Sequence, residues 1–172
     1  LDLPDDLRTT LEKWDAANHE LFADYGFATI DQSGQSQTMD TKVACKKLLG
    51  NITDPALGGL SFWTQPNSWH HFCCDHVVTF SLTPIGPEKT LLRTSWLVHE
   101  DAVEGVDYNP DHLAALWRAT NVQDGHFSMV NHQGIANDGY VQGPYAVEEN
   151  LVEDFKDFYV DRAKAALKAE TI

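Results

Sequence analysis

The segment from Ser68 to Phe80, SWHHFCCDHVVTF, holds three histidines, two cysteines and one aspartate between His70 and His76. Imidazole, thiolate and carboxylate groups are the usual protein ligands of transition metals. The β-branched and aromatic residues that follow are instead typical of a strand. The segment therefore raises two alternatives, a metal site or a strand rich in ligand-type side chains.

Strand geometry favours the second alternative. If residues 71–83 form one strand, successive side chains point to opposite faces, so His71 and His76 point in opposite directions. His70 and His76 share a face but lie roughly 20 Å apart at about 3.3 Å per residue. Only Cys74 and His76 remain close enough to chelate together, too few ligands for a stable site. We therefore predict a half-buried strand in which His76 lines a pocket, with one core-facing set: Phe72, Cys74, His76, Val78, Phe80 and Leu82.

A carboxylate lies on the apolar side of a predicted helix that begins after Asn109, a plausible N-cap, with Pro110 as its first residue. At about 100° per residue, Asp124 falls within the apolar sector of this helix. A carboxylate turned toward a core is costly unless it is paired or bound to a metal. A buried salt bridge to Arg93 or Arg118 and a metal or catalytic role both remain open. The sector consists of Leu113, Leu116, Trp117, Thr120, Asp124 and Phe127.

The remaining pattern predicts an α+β fold, an antiparallel sheet covered by long helices. Acidic residues begin and glycine ends a first helix, and a Pro/Gly connection joins the last two of three strands. We expect a single domain over residues 1–172. The predicted elements are a helix over 3–26, short strands over 27–47, a loop or helical turn over 48–60, strands over 60–67, 70–83 and 89–100, and helices from Asn109 and over 146–170.

Composition limits the function classes. The formal net charge of −14 makes nucleic acid an improbable partner, because phosphate binding needs a basic surface. Three cysteines, two of them adjacent, do not form a disulfide framework and indicate a reducing compartment. There is neither an apolar run of membrane-spanning length nor a signal-peptide pattern, so we expect a cytoplasmic protein without a membrane partner. The start without Met suggests processing or a cut within a longer polypeptide.

Two segments carry a family resemblance: WLVHEDAVEGVDY (96–108) and W-x-x-T-N-x-Q-D (117–124). They resemble the C-terminal catalytic half of Rieske-type oxygenase α subunits, nearest to those that N-demethylate quaternary ammonium compounds such as glycine betaine. The resemblance extends from about Phe62 to Tyr159. It implies the helix-grip-like catalytic domain of these oxygenases. It also implies that Asp124 is the carboxylate ligand of a mononuclear Fe(II) held by two histidines and one carboxylate.

Other parts of the family pattern are missing. The C-x-H and C-x-x-H pairs that bind the [2Fe–2S] Rieske cluster are absent. The family's helical H-x-x-x-x-H pair that ligates iron has one match in spacing, His71 and His76, but this match aligns with the later sheet and fails the strand geometry. The chain thus resembles a fragment, inactive by itself and unable to hold iron tightly. Met129 and His132 replace an acid and a Gln of the family pattern, and Gly125 weakens the helix after Asp124, which affects the surroundings of the ligand.

The resemblance implies O₂-dependent monooxygenation, leading to N-demethylation of a quaternary ammonium compound. In the full-length protein it implies a reductase or ferredoxin as electron donor and a homotrimer. Aromatic faces are expected to hold the cation, from Trp63, Trp69, Phe72, Phe80, Trp96 and Trp117. The candidate substrate-binding residues are Trp117, Asn121, Thr120, His76 and Trp96. The alternatives are an aromatic-ring-hydroxylating dioxygenase and, in another class, a non-enzymatic helix-grip ligand-binding domain.

Overall fold

The predicted α+β class is confirmed in a computed structural model, which describes residues 23–28, 34–64, 66–146 and 149–169. These residues form a five-stranded antiparallel sheet and two long helices. The chain divides into two compact units, Leu1–Gly125 and His126–Ile172. The expectation of a single domain over 1–172 stays a prediction.

The sheet is a meander in which each strand pairs with the next along the chain, in the order β1-β2-β3-β4-β5. The helix predicted over 3–26 is wrong at its end. Ala23 lies opposite Thr64 and Ala28 opposite Gly59, so this segment is a strand because its backbone pairs with β2 along its whole length. Residues 3–22 lie outside the described residues. The strands are β1 (Ala23–Ala28), β2 (Gly59–Thr64), β3 (Ser68–Phe72), β4 (Val77–Gly86) and β5 (Lys89–Leu97).

The single strand predicted over residues 71–83 is wrong, because the chain reverses inside it. β3 ends at Phe72, and β4 begins at Val77 directly opposite. The turn between them, residues 73–76, is closed by the Cys73 amide, which donates to the His76 carbonyl at 2.9 Å. The reversal moves Phe72 to the face opposite the one predicted and brings His71 opposite Val78.

Two connections agree with the sequence pattern. β4 and β5 form the predicted Pro/Gly hairpin, with Gly86 paired to Lys89. The predicted loop or helical turn over 48–60 contains a 3₁₀ helix, Pro55–Leu57. The Asp54 side chain caps this turn by accepting from the Ala56 amide at 2.9 Å.

One face of the sheet is covered by helix α1 (Pro110–Ile135). The Trp117 ring stacks on His71 with ring centroids 4.6 Å apart and meets Phe80 edge-on at 5.0 Å. Strand pairing and side-chain alternation show which sheet residues share the face under α1. They are Ser61, Trp63, Trp69, His71, Val78, Phe80, Thr94 and Trp96.

The second unit contains α2 (Asn150–Ala169), which confirms the predicted C-terminal helix. Its first turn carries Glu153 and its last turn Lys168, the charge order that the helix dipole favours. Within α2, Arg162 lies over the Phe158 ring at 5.4 Å from its centroid. Among the described residues, neither α1 nor α2 is long and apolar enough to span a bilayer.

The start of α1 confirms the predicted N-cap and gives a direct test of it. The Asn109 side-chain oxygen accepts from the amides of Asp111 at 2.8 Å and His112 at 3.1 Å. We expect Asn109→Ala to lower the free energy of unfolding by about 1 kcal/mol, because two helix amides lose their acceptor. Urea denaturation measures the loss, and Asn109→Ser, which keeps an acceptor, is the control. Equal stability of Asn109→Ala and the unchanged protein would contradict this role.

Candidate active site

The turn between β3 and β4 is organised around a buried carboxylate. Asp75 is fully buried, and its Oδ1 accepts from Ser36 Oγ at 2.6 Å and lies 3.0 Å from His76 Nδ1. Its Oδ2 accepts from the amides of Ala44 at 2.6 Å and Cys45 at 3.2 Å. Charge-assisted bonds of this kind compensate for taking a carboxylate out of water. Asp75 therefore ties the loop over residues 34–46 to the hairpin.

Burial and hydrogen bonding act in opposite directions on this carboxyl group. Burial by itself raises the pKa of Asp75 because it disfavours the charged form. The hydrogen bonds and positive charge from His76, with the bonds from Ser36 and the Ala44 amide, outweigh burial and hold the pKa below its ordinary value. Asp75 is therefore ionised at neutral pH.

The same turn contains a three-residue group with metal-ligand chemistry. One ligand atom from each of Cys73, Asp75 and His76 lies within 4.8 Å of the others, and all three residues are buried. Burial raises the pKa of the Cys73 thiol to about 11, so that without a metal this group is a neutral thiol. One imidazole and one thiol also differ from the two imidazoles of the iron triad implied by the resemblance. The group is thus better explained as a buried hydrogen-bonded cluster, and Cys73, Cys74 and Cys45 are all free thiols.

Two of the predicted substrate-binding residues carry buried polar atoms that lack partners. In the part of the chain that the structure describes, His76 Nε2 and Trp96 Nε1 are buried and form no hydrogen bond. His76 is fully buried, and its other ring nitrogen is held by Asp75. The side chain of Trp96 lies opposite Val78 on the face covered by α1.

Two other predicted substrate-binding residues, Trp117 and Asn121, attach α1 to the loop over residues 34–46 and to the sheet. Trp117 Nε1 donates to Gln37 Oε1 at 3.2 Å, and Asn121 Nδ2 donates to Thr94 Oγ1 at 2.9 Å. Thr120, beside Asn121, is half-buried. Whether Trp117, Thr120 and Asn121 also contact a substrate stays a prediction; their observed contacts position the helix.

The expectation that Asp124 faces a core is wrong for the described residues, because its side chain is exposed. The predicted apolar sector of α1 is buried or half-buried from Leu113 to Thr120, whereas every residue of the helix from Val122 onward is exposed. The reason lies in the sheet. α1 crosses it from Phe80 on β4 to β5, the last strand of the described sheet, where Asn121 makes its contact. Asp124 lies about one turn beyond that contact and is exposed.

The proposed salt bridge of Asp124 is also absent from the described residues. Arg118 pairs with Asp111 at 3.0 Å, and neither Arg118 nor Arg93 pairs with Asp124. In the described ranges Asp124 has no further His, Cys, Asp or Glu grouped with it as a potential metal site.

The aromatic residues expected to hold a cation are separated by the hairpin reversal. Trp69 stacks on Phe80 at 4.9 Å, and both lie on the face under α1. Phe72 lies on the other face, opposite Leu60. There it lines an open, mainly apolar cleft of about 350 Å³ with Leu49 and Ile52. Of the predicted substrate-binding residues, none lines this cleft.

Sequence reasoning did not identify the residues that support the site. Ser36 and Gln37 belong to a polar segment that the sequence predicts as short strands and a turn, and Thr94 lies within a predicted strand. Their partners are 39, 80 and 27 positions away along the chain. Local patterns carry no signal for contacts over such separations. The alternation along β5 does place Thr94 on one face with Trp96.

Comparison with known proteins identifies the relatives of this chain. Residues 4–165 match the family model of the ring hydroxylating alpha subunit (catalytic domain). The chain is 44% identical over 136 residues to the glycine betaine monooxygenase oxygenase subunit of Chromohalobacter salexigens, a match that covers 78% of this chain and 31% of that protein. It is 45% identical over 128 residues to the subunit of the same name in Pseudomonas aeruginosa, covering 74% of this chain and 30% of the relative. The chain thus spans about a third of the length of these relatives.

The buried carboxylate gives a test by mutation and pH. We expect Asp75→Asn to lower the free energy of unfolding by about 3 kcal/mol, because its amide cannot accept from all the donors around it. Ser36→Ala, which removes one donor, is expected to cost about 1 kcal/mol. Urea unfolding at several pH values measures both effects.

The pH dependence has a definite sign. Because folding lowers the Asp75 pKa from 3.8, its stabilisation is fully present above that value and is lost as pH falls through the folded-state pKa. Between about pH 5 and pH 3, the free energy of unfolding should fall more for the unchanged protein than for Asp75→Asn. Parallel losses in the two proteins would contradict an ionised Asp75.

Proposed function

Because the chain belongs to the ring-hydroxylating α-subunit family through its catalytic domain, we propose that it is part of an O₂-dependent oxygenase that N-demethylates a quaternary ammonium compound such as glycine betaine. The observation that carries this proposal is the 44–45% identity with oxygenase subunits named for glycine betaine. The two matches cover 78% and 74% of the chain.

Asp124 is proposed as the carboxylate ligand of a mononuclear Fe(II). The support is its place on α1, one turn beyond a helix segment that Trp117 and Asn121 fix to its surroundings, with no competing ion pair among the described residues. A ligand at the end of an anchored helix segment is held with little loss of entropy on binding. The iron, together with O₂, would supply the oxidation of an N-methyl C–H bond.

The exposure of α1 beyond Asn121 is consistent with a covering layer in the whole protein. The exposed fractions are 74% for Val122, 73% for Phe127 and 56% for Met129. Apolar side chains exposed in succession on one helix usually mark a surface that contacts protein. We propose that the remainder of the protein covers this half of α1 and supplies the histidine ligands and the [2Fe–2S] cluster. A reductase or ferredoxin, a homotrimer and a cytoplasmic location belong to the same proposal.

The residues of this chain would bind and orient the substrate. Trp63, Trp69 and Trp96 lie with Phe80 on the sheet face that α1 covers, and Trp117 faces them from the helix. A quaternary ammonium group has no proton to donate, so aromatic rings are its natural partners, at about 0.5–2 kcal/mol per contact. Thr120 and Asn121 would add polar contacts, and the apolar surroundings would exclude water.

A second candidate, hydroxylation of an aromatic ring, is favoured by the family description itself, which names ring hydroxylation. The same carboxylate and aromatic face would serve it. Membership in an oxygenase catalytic-domain family argues against the third alternative, a helix-grip domain that only binds a ligand.

The iron assignment is tested by substitution in the full-length protein. We expect Asp124→Ala to lose mononuclear iron and at least about 10³-fold in turnover, because two remaining ligands hold the metal poorly. The optical spectrum of the Rieske cluster should persist, which separates loss of the ligand from loss of folding. Asp111→Ala, an exposed acid on the same helix, is the matched control and should keep its iron. Full iron occupancy and turnover in Asp124→Ala would dispose of the assignment.

The substrate class is tested with the unchanged full-length protein and its reductase. N-demethylation releases formaldehyde, since a hydroxylated N-methyl group breaks down to formaldehyde and the tertiary amine. We expect formaldehyde to form in proportion to O₂ consumed with glycine betaine, and no product with benzoate. Dihydroxylated product from benzoate, without formaldehyde from glycine betaine, would favour the ring-hydroxylating alternative.

A further inference from the structure

Two buried polar atoms next to the sheet lack hydrogen-bond partners. Among residues 34–64 and 66–146, His76 Nε2 and Trp96 Nε1 are the side-chain atoms in this condition. Buried polar groups in folded proteins are almost always paired, and an exception needs an explanation such as a bound ligand or water. Neither atom takes part in the contacts that hold α1 or the β3–β4 turn.

Strand register brings the two residues close together. Val77 pairs with Leu97 and Val78 with Trp96, so His76, which immediately precedes β4, is a diagonal neighbour of Trp96. Diagonal neighbours on adjacent strands lie about 7–8 Å apart. This distance allows two large side chains to reach a common small group. Thr94, the next residue on the same side of β5, bonds to Asn121, so Trp96 lies on the side covered by α1.

The hydrogen bonds around His76 determine what its free nitrogen offers. The ring donates through Nδ1 to Asp75 Oδ1 at 3.0 Å, and Ser36 Oγ lies 3.3 Å from the same nitrogen. When both ring nitrogens carry protons, Nε2 is a second N–H donor beside the Nδ1–H that bonds to Asp75. The indole nitrogen of Trp96 is a donor only. The pair can therefore present two N–H donors, and Asp75 balances the positive charge of the ring.

We propose that His76 Nε2 and Trp96 Nε1 together bind the carboxylate of a zwitterionic quaternary ammonium substrate. A carboxylate has two acceptor oxygens, so each donor takes one. The aromatic rings on the same sheet face then hold the opposite, cationic end of the molecule. This inference rests on the proposed function, since it assigns a role to residues on the same sheet face. Asp75 and Ser36 are positioning residues that hold the imidazole.

The experiment compares two ligands with the same trimethylammonium group in the full-length enzyme: glycine betaine, which has a carboxylate, and choline, which has none. Trp96→Phe removes only the N–H donor and the pyrrole part of the indole. His76→Asn keeps an amide near Nδ1 for Asp75 and removes Nε2, whereas His76→Gln places an amide near Nε2. The KM for glycine betaine and the inhibition constant of choline are measured for each variant.

We expect Trp96→Phe and His76→Asn each to raise the KM for glycine betaine about tenfold, the effect of losing one charge-assisted hydrogen bond. The choline inhibition constant should change far less. His76→Gln should recover part of the affinity that His76→Asn loses. Trp117→Phe is the control, because its indole N–H is bound to Gln37. This variant should weaken the binding of glycine betaine and of choline by similar factors.

Unchanged KM values for glycine betaine in Trp96→Phe and His76→Asn would overturn the inference and indicate that ordered water fills the two positions. The inference would also be overturned if these variants weakened the binding of glycine betaine and of choline equally, because that result would reflect general damage around the two residues. Thermal melting identifies variants that fail to fold, and titration calorimetry with glycine betaine then replaces kinetics for the remaining ones. If the unchanged enzyme binds glycine betaine without demethylating it, the proposed function fails, and the calorimetric comparison still tests the carboxylate site.

Discussion

The carboxylate of Asp75 is the interaction on which the architecture of this site depends. It lies fully out of water at a chain reversal, and it is stabilised there by donors from a distant loop and from the next residue. A buried carboxylate tolerates little displacement of such donors, because each one lost leaves charge uncompensated. The turn and the loop therefore constrain each other. The register of β3 against β4 follows from the turn, and with it the stacking of Trp69 on Phe80 at 4.9 Å.

Helix α1 connects this arrangement to Asp124, the candidate iron ligand. Trp117 packs on the rings that the register brings together, and Asn121 fixes the following turn to β5. Beyond that contact the described sheet ends, and the helix continues with its apolar side exposed. Asp124 is therefore held in place by an anchored helix, and its side chain is exposed. That combination suits a residue that shares a metal with ligands from elsewhere in a protein.

Local features of the fold could be predicted from the sequence, whereas the arrangement around Asp75 could not. The N-cap at Asn109 was predictable because a cap depends on residues within one turn. The reversal at residues 73–76 was not, because that segment contains no Gly, Pro or Asn and its turn depends on Ser36 and on amides about thirty positions away. Without the reversal, Phe72 was assigned to the wrong face.

The position of Asp124 shows a second limit of sequence patterns. Helical periodicity put Asp124 in one sector with Trp117, which packs on His71 and Phe80 of the sheet. Periodicity contains no information about where the sheet ends, and so burial of Asp124 was expected wrongly. The free nitrogens of His76 and Trp96 belong to residues that the sequence did single out. Their lack of partners became evident only from the packing around them.

Anomalous diffraction at the iron absorption edge, from crystals of the full-length protein, shows whether Asp124 ligates the mononuclear iron. We expect an iron peak within coordination distance of a carboxylate oxygen of Asp124, with imidazoles from outside residues 1–172 completing the site. An iron site ligated without Asp124, or an Asp124 carboxylate bound to an arginine and remote from iron, would contradict it.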